Sequence, residues 1–175
     1  MESMGDYKTE WDKEGYLAID HLLSAEDLIK LRHRFDEFAR QGEGLSESTD
    51  RFKMTGFESI SDPSAIQGNA IQMVAEPHEL CSEVMDLARD PRILDIVEIA
   101  LGPNIQLYYS QIFMKPPSIG NKAPWHQDFA FYAHTRADLL NVHIYIDDST
   151  VENGCLRVAP GSRKLGILNH FKDGV

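Results

Sequence analysis

At 175 residues, with 42% hydrophobic and 26% charged side chains, the chain has the proportions of one globular domain. It is long enough to remove roughly 70% of its unfolded surface from water without a covalent staple. Two cysteines, Cys81 and Cys155, exclude a disulfide scaffold and argue against structural zinc, and a formal net charge of −11 without a basic patch makes nucleic acid a poor partner.

Residues 1–14 are polar and lack the apolar core of a signal peptide, and no stretch reaches the roughly 18 to 20 apolar residues of a membrane span. With cysteines that read as reduced, the expected compartment is the cytoplasm, with no membrane partner. Ser24-Ala25-Glu26-Asp27 has the spacing of a capping box, and Leu28, Leu31, Phe35 and Phe38 follow at helical intervals. That pattern predicts an amphipathic helix over 25–40, closed near Gln41-Gly42. Gly42 to Ser64 is rich in Gly, Ser, Asp and Glu around Arg51-Phe52-Lys53-Met54 and reads as a long loop of the kind that carries function. A helix is predicted from near Pro77 to Ala88. Another follows, with Asp90 as cap, Pro91 first and Gly102 closing after Leu101.

After Pro103 the period changes to two: Ile105, Leu107, Tyr109, Gln111 and Phe113 alternate with Gln106, Tyr108, Ser110, Ile112 and Met114, as in a strand ended by Pro116-Pro117. A second strand is predicted at Leu139–Ile146, with Leu140, Val142, Ile144 and Ile146 on one face and Asn141, His143 and Tyr145 on the other. A third run, Cys155 to Ala159, stops at Pro160-Gly161. Helices first and strands afterwards indicate an α+β arrangement or a β-sandwich with a helical flank, without repeats or a second domain.

Trp125-His126-Gln127-Asp128 contains the one His-x-Asp triplet of the chain. On a strand, His126 and Asp128 would share a face, where an imidazole and a carboxylate can take adjacent positions on one metal ion. A further His would complete the facial triad of a non-haem Fe(II) oxygenase. The plain alternative is a surface His bonded to a neighbouring Asp. Glu152-Asn153-Gly154 and Pro160-Gly161-Ser162 read as turns, with Asn and Gly supplying positive φ in the first.

Phe113-Met114-Lys115-Pro116-Pro117, Trp125-His126-Gln127-Asp128 with Phe131-Tyr132, Asp147-Asp148, Glu152-Asn153-Gly154-Cys155-Leu156 and Pro160-Gly161-Ser162, in this order, resemble the phytanoyl-CoA dioxygenase family of Fe(II)- and 2-oxoglutarate-dependent oxygenases. The likeness is densest over residues 105–165 and looser in the N-terminal half. It implies a mainly β, double-stranded β-helix, a cupin-like jelly roll flanked by N-terminal helices, with residues 1–175 as one such domain. His126 and Asp128 become iron ligands, and Gln111 and His143 line the pocket of the cosubstrate 2-oxoglutarate. Lys115 and its prolines would place a loop above the metal, or hold an anionic substrate. Phe131 and Tyr132 would stand near the pocket mouth.

The chain departs from the family pattern as well. Relatives carry a third ligand, a distal His, and after it an Arg for 2-oxoglutarate. Neither follows Asp128 here, and His134, His143 and His170 lack the distal spacing. Arg163 stands where relatives commonly have a His, and the region around Gln72 and Met73 lacks a Lys that some of them use. The expectation is therefore a domain truncated before the closing barrel strands, whose open sheet edges invite self-association. The implied activity is oxidative decarboxylation of 2-oxoglutarate coupled to hydroxylation of a small substrate by dioxygen; the substrate could be a CoA ester, an amino acid derivative, a lipid or a secondary metabolite. The alternatives are a non-catalytic jelly-roll binding module, and a cupin-type metal enzyme of other chemistry, which would need more His ligands.

Overall fold

The structure, a computed structural model, describes residues 3–54, 71–115, 123–132, 134–136 and 138–170. These residues form two compact units. Among them, no helix is long and apolar enough to cross a membrane.

The unit made of residues 23–90 and 106–122 carries the sheet. Its long helix, α2 (Ala25–Glu43), starts at the expected capping box: Ser24 Oγ accepts the Asp27 N–H at 3.1 Å, and Asp27 Oδ2 accepts the Ser24 N–H at 3.0 Å. The helix runs three residues past the expected end because Gly42 keeps helical geometry and is buried. Two elements fell within or beside the long loop: β1 (Phe52–Met54) and β2 (Ile71–Ala75), which pair antiparallel with a bulge after Lys53. Residues 55–64 of that loop lie outside the described residues.

The helix expected over Pro77–Ala88 is two helices, α3 (Pro77–Leu80) and α4 (Ser82–Ala88). The break is Cys81, extended at φ −150° and ψ 143°, which turns its side chain into the core. The strand expected from 105 is ordered only as β3 (Gln111–Phe113), antiparallel to β2 with Ala75 opposite Gln111. Its start follows from its partner. Glu76 takes the left-handed region at φ 51° and Pro77 opens α3, so the pairing closes where the Glu76 N–H donates to the Ser110 carbonyl at 2.9 Å and goes no further. The three strands lie in the order β1-β2-β3, and Phe38, Ile71, Val74, Cys81 and Ile112 form the core, with Phe38 edge-on to Phe52 at 6.1 Å.

The unit made of residues 1–22, 91–105 and 123–175 carries α1 (Met4–Glu14) and α5 (Pro91–Leu101), which pack together. Helix α5 begins at Pro91 and ends as expected at Gly102, whose φ of +78° only glycine adopts readily. Helix α1 is unexpected, because it has a capping box (Ser3 and Asp6) but no buried residue. The segments 139–146 and 155–159, expected as strands, form no ladder with any described residue. Alternation of residue type orients side chains but supplies no hydrogen-bonding partner, and a strand without one is not a strand.

Candidate metal centre

The residues of the His-x-Asp triplet meet in space. His126 Nε2 stands 2.9 Å from Asp128 Oδ1. Gln127 is extended, as the strand reading required, but Asp128 opens a 3₁₀ turn, Asp128–Phe131. The pair is therefore brought together by an extended residue leading into a tight turn. Their side chains are 40% and 35% exposed, open enough to be reached from solvent.

Each side chain has a second contact that orients it. His126 Nδ1 lies 2.8 Å from the carbonyl of Pro124, which can only accept, so Nδ1 donates to it and the ring is held with Nε2 toward Asp128. Asp128 Oδ2 accepts a hydrogen bond from Asn141 Nδ2, leaving Oδ1 as the oxygen beside the imidazole. Two donors on adjacent positions of one metal ion, each at about 2.1 Å, stand roughly 3.0 Å apart, which matches the spacing found here. The donor set, one imidazole nitrogen and one carboxylate oxygen, suits a divalent iron. Among the described residues, no group of three or more His, Cys, Asp or Glu could hold a metal ion.

Gln127 ties the pair to the segment 166–170. Its N–H donates to His170 Nε2 at 2.7 Å, its Nε2 donates to the Gly166 carbonyl at 2.9 Å, and its Oε1 accepts the Leu168 N–H at 2.7 Å. The Phe131 ring is edge-on to both His126 and His170, at 6.0 and 5.6 Å. His143 is exposed, and its ring stacks on Tyr145 at 6.4 Å, in keeping with the shared face read from the sequence. Gln111 lies in the other unit, exposed on β3. Lys115 is described, whereas Pro116 and Pro117 lie outside the described residues.

The supporting contacts are the part that sequence reasoning missed. Alternation placed Asn141 on a polar face but gave no sign that it reaches Asp128, and nothing marked the Pro124 carbonyl. The turns fared better. Gly154 has φ +86° and Gly161 +71°, while Asn153 corrects the expectation of positive φ: it acts through its side chain, accepting the Thr150 N–H at 2.8 Å and donating to the Asp148 carbonyl at 2.7 Å.

A second polar cluster does not form a catalytic relay. His78 Nδ1 is 2.6 Å from Ser110 Oγ and 3.1 Å from Glu76 Oε2, so the hydroxyl and the carboxylate share one ring nitrogen, whereas a relay needs one on each. Cys81 is equally inert, since burial pushes its thiol up and away from the reactive thiolate.

A family model described as phytanoyl-CoA dioxygenase (PhyH) matches residues 11–173. The chain is 30% identical over 165 residues to the "Probable alpha-ketoglutarate-dependent hypophosphite dioxygenase" of Stutzerimonas stutzeri, covering 94% of this chain and 55% of the relative. It is 33% identical over 167 residues to the L-proline trans-4-hydroxylase of Streptomyces griseoviridis, covering 93% and 56%. The chain thus spans about half the length of the curated relatives it matches. Among solved structures it is similar to EctD from S. alaskensis with bound Fe, at a TM-score of 0.53 and 23% identity over 70% of this chain and 39% of that one. That likeness concerns the fold.

Proposed function

The chain belongs to the phytanoyl-CoA dioxygenase family, and from that premise we propose that the protein containing it is an Fe(II)- and 2-oxoglutarate-dependent dioxygenase that hydroxylates a small organic substrate. The observation that carries this reading is the approach of His126 Nε2 to Asp128 Oδ1 at 2.9 Å, with each side chain turned toward the other by a second contact. His126 and Asp128 would hold Fe(II) through these two atoms. When bound, the iron with 2-oxoglutarate and dioxygen supplies the oxidant for C–H hydroxylation, and the cosubstrate leaves as succinate and carbon dioxide.

The residues of this chain prepare that site before any substrate arrives. The Pro124 carbonyl accepts from His126 Nδ1, which leaves Nε2 as the ring nitrogen turned toward the metal position. Phe131 packs against the His126 ring and limits its rotation. Gln127 fixes the backbone between the ligands through its three bonds to residues 166–170. By the family resemblance, His143 is proposed to line the 2-oxoglutarate pocket within a double-stranded β-helix. A cytoplasmic location fits the two free cysteines.

The test is turnover by the full-length protein supplied with Fe(II), 2-oxoglutarate and oxygen. Succinate should form, and His126→Ala should reduce its formation to the background without enzyme. Undiminished turnover in that variant would overturn the ligand assignment.

A further inference from the structure

We infer that Asn141 is a positioning residue for the Asp128 carboxylate, holding Oδ2 so that Oδ1 alone is presented beside His126 Nε2. The inference rests on the metal reading above and adds to it the group that sets how Asp128 binds. A carboxylate turns easily about its last torsion, and the Asp128 side chain is 35% exposed. Without a second contact, Asp128 could offer either oxygen, or both. Here the two oxygens have different neighbours: Oδ1 faces His126 Nε2, and Oδ2 accepts from Asn141 Nδ2. The plane of the carboxylate is fixed as a result.

The chemistry of the donor matters. A Lys or Arg in this position would pair with the carboxylate and neutralise the charge that a cation needs, whereas an amide donates a hydrogen bond and leaves the negative charge in place. Asn141 is also placed to do this reliably. It stands thirteen residues after Asp128, two residues before His143, whose ring stacks on Tyr145. In so exposed a location the bond contributes little to stability, so its effect should be read in the metal rather than in the fold.

The experiment uses the full-length protein with Co(II) as a spectroscopic probe, measuring affinity, the visible absorption of the bound ion and the thermal midpoint of the metal-free protein. Asn141→Leu, which keeps the approximate volume and removes the donor, should weaken Co(II) binding roughly 10- to 100-fold. It should also shift the absorption band and leave the metal-free midpoint unchanged. Asn141→Ala should do the same, guarding against a packing fault peculiar to leucine, and Asn141→Gln, which retains the amide, should recover part of the affinity. Asp128→Ala separates the two levels. If it abolishes binding while Asn141→Leu and Asn141→Ala bind with the wild-type affinity and band, the role of Asn141 is overturned and the metal reading stands. If Asp128→Ala itself binds Co(II) like the wild type, the metal reading fails. Weaker binding in the Asn141 variants with an unshifted band would also overturn the positioning role.

Discussion

His170 and Gln127 are joined by a hydrogen bond in which the imidazole Nε2 accepts the backbone N–H at 2.7 Å, while His170 Nδ1 donates to the Leu168 carbonyl at the same distance. Both ring nitrogens are occupied, and the network sets the tautomer with the proton on Nδ1. A histidine bound in this way has no lone pair left for a metal. It does something else: it completes the set of bonds by which the residue between His126 and Asp128 grips the segment 166–170.

Replacing His170 with alanine should therefore separate structure from metal binding. The variant leaves one backbone N–H without its acceptor, a loss of about 1 kcal/mol, which for a chain of this size lowers the thermal midpoint by about 2–4 °C. The stoichiometry of Co(II) bound by the full-length protein should not change. Calorimetry and a Co(II) titration check the two halves, and a loss of binding as complete as that of His126→Ala would show that His170 is a ligand after all.

Gly42 is required for steric reasons. It is helical and buried in α2, and a Cβ there would overlap Cγ1 and Cδ1 of Ile71, itself in the core. Glycine to alanine in a helix ordinarily gains about 0.5–1 kcal/mol, but overfilling a packed core costs about 1–3 kcal/mol, so the clash wins. Gly42→Ala should destabilise the protein by about 1 kcal/mol or more in urea unfolding. Adding Ile71→Val should restore part of the loss. A single variant as stable as the parent would mean that Ile71 can move aside.

These residues also show what could be read from the chain before its structure. Helices α2 and α5 were legible because their signals are local: a Ser24–Asp27 box in one, Pro91 and Gly102 at the ends of the other. Helix α1 has the same kind of box at Ser3 and Asp6 but buries no apolar stripe, so periodicity passed over it. Residues 139–146 failed in the opposite way, since their alternation is clear and their partner is not among the described residues. At the site, the spacing of His126 and Asp128 was enough to pair them. Pro124 and Asn141 were invisible because a carbonyl and a strand-like Asn acquire meaning only once the chain has folded around the carboxylate and the ring.

Acid should loosen the helical face of the sheet unit through Glu83. Its carboxylate oxygen accepts from Arg34 Nη2 at 2.6 Å and Nε at 3.2 Å, and the guanidinium holds the carboxyl below its ordinary value of 4.5. Because the folded state favours the ionised form, this contribution is fully present above that value and is lost as the pH falls through the lower, folded one. The urea midpoint should therefore drop as the pH falls below 4.5, and Glu83→Gln should show a smaller drop over the same range. An identical pH profile for the two proteins would remove Glu83 from the account.

Arg163 should anchor the end of α1. The last four carbonyls of a helix lack internal partners, and here they find them: Arg163 Nη2 donates to Trp11 and Asp12 at 3.2 Å each, Lys164 Nζ to Lys13 at 2.9 Å, and the Gly161 N–H to Glu14 at 2.6 Å. The Arg163 guanidinium also sits over the Trp11 ring, 5.4 Å from its centre. A cation at a helix C-terminus and a guanidinium on an exposed indole each contribute about 0.5–1 kcal/mol. Arg163→Met should lower the thermal midpoint by a few degrees, about 2–4 °C per kcal/mol lost, and shift Trp11 emission to the red as the ring loses its cover. Arg163→Lys keeps the charge but not the planar fork, so it should fall between the two. If methionine leaves both the emission and the midpoint where they were, α1 is held by its packing on α5 and by the remaining caps, and the cation over Trp11 contributes nothing measurable.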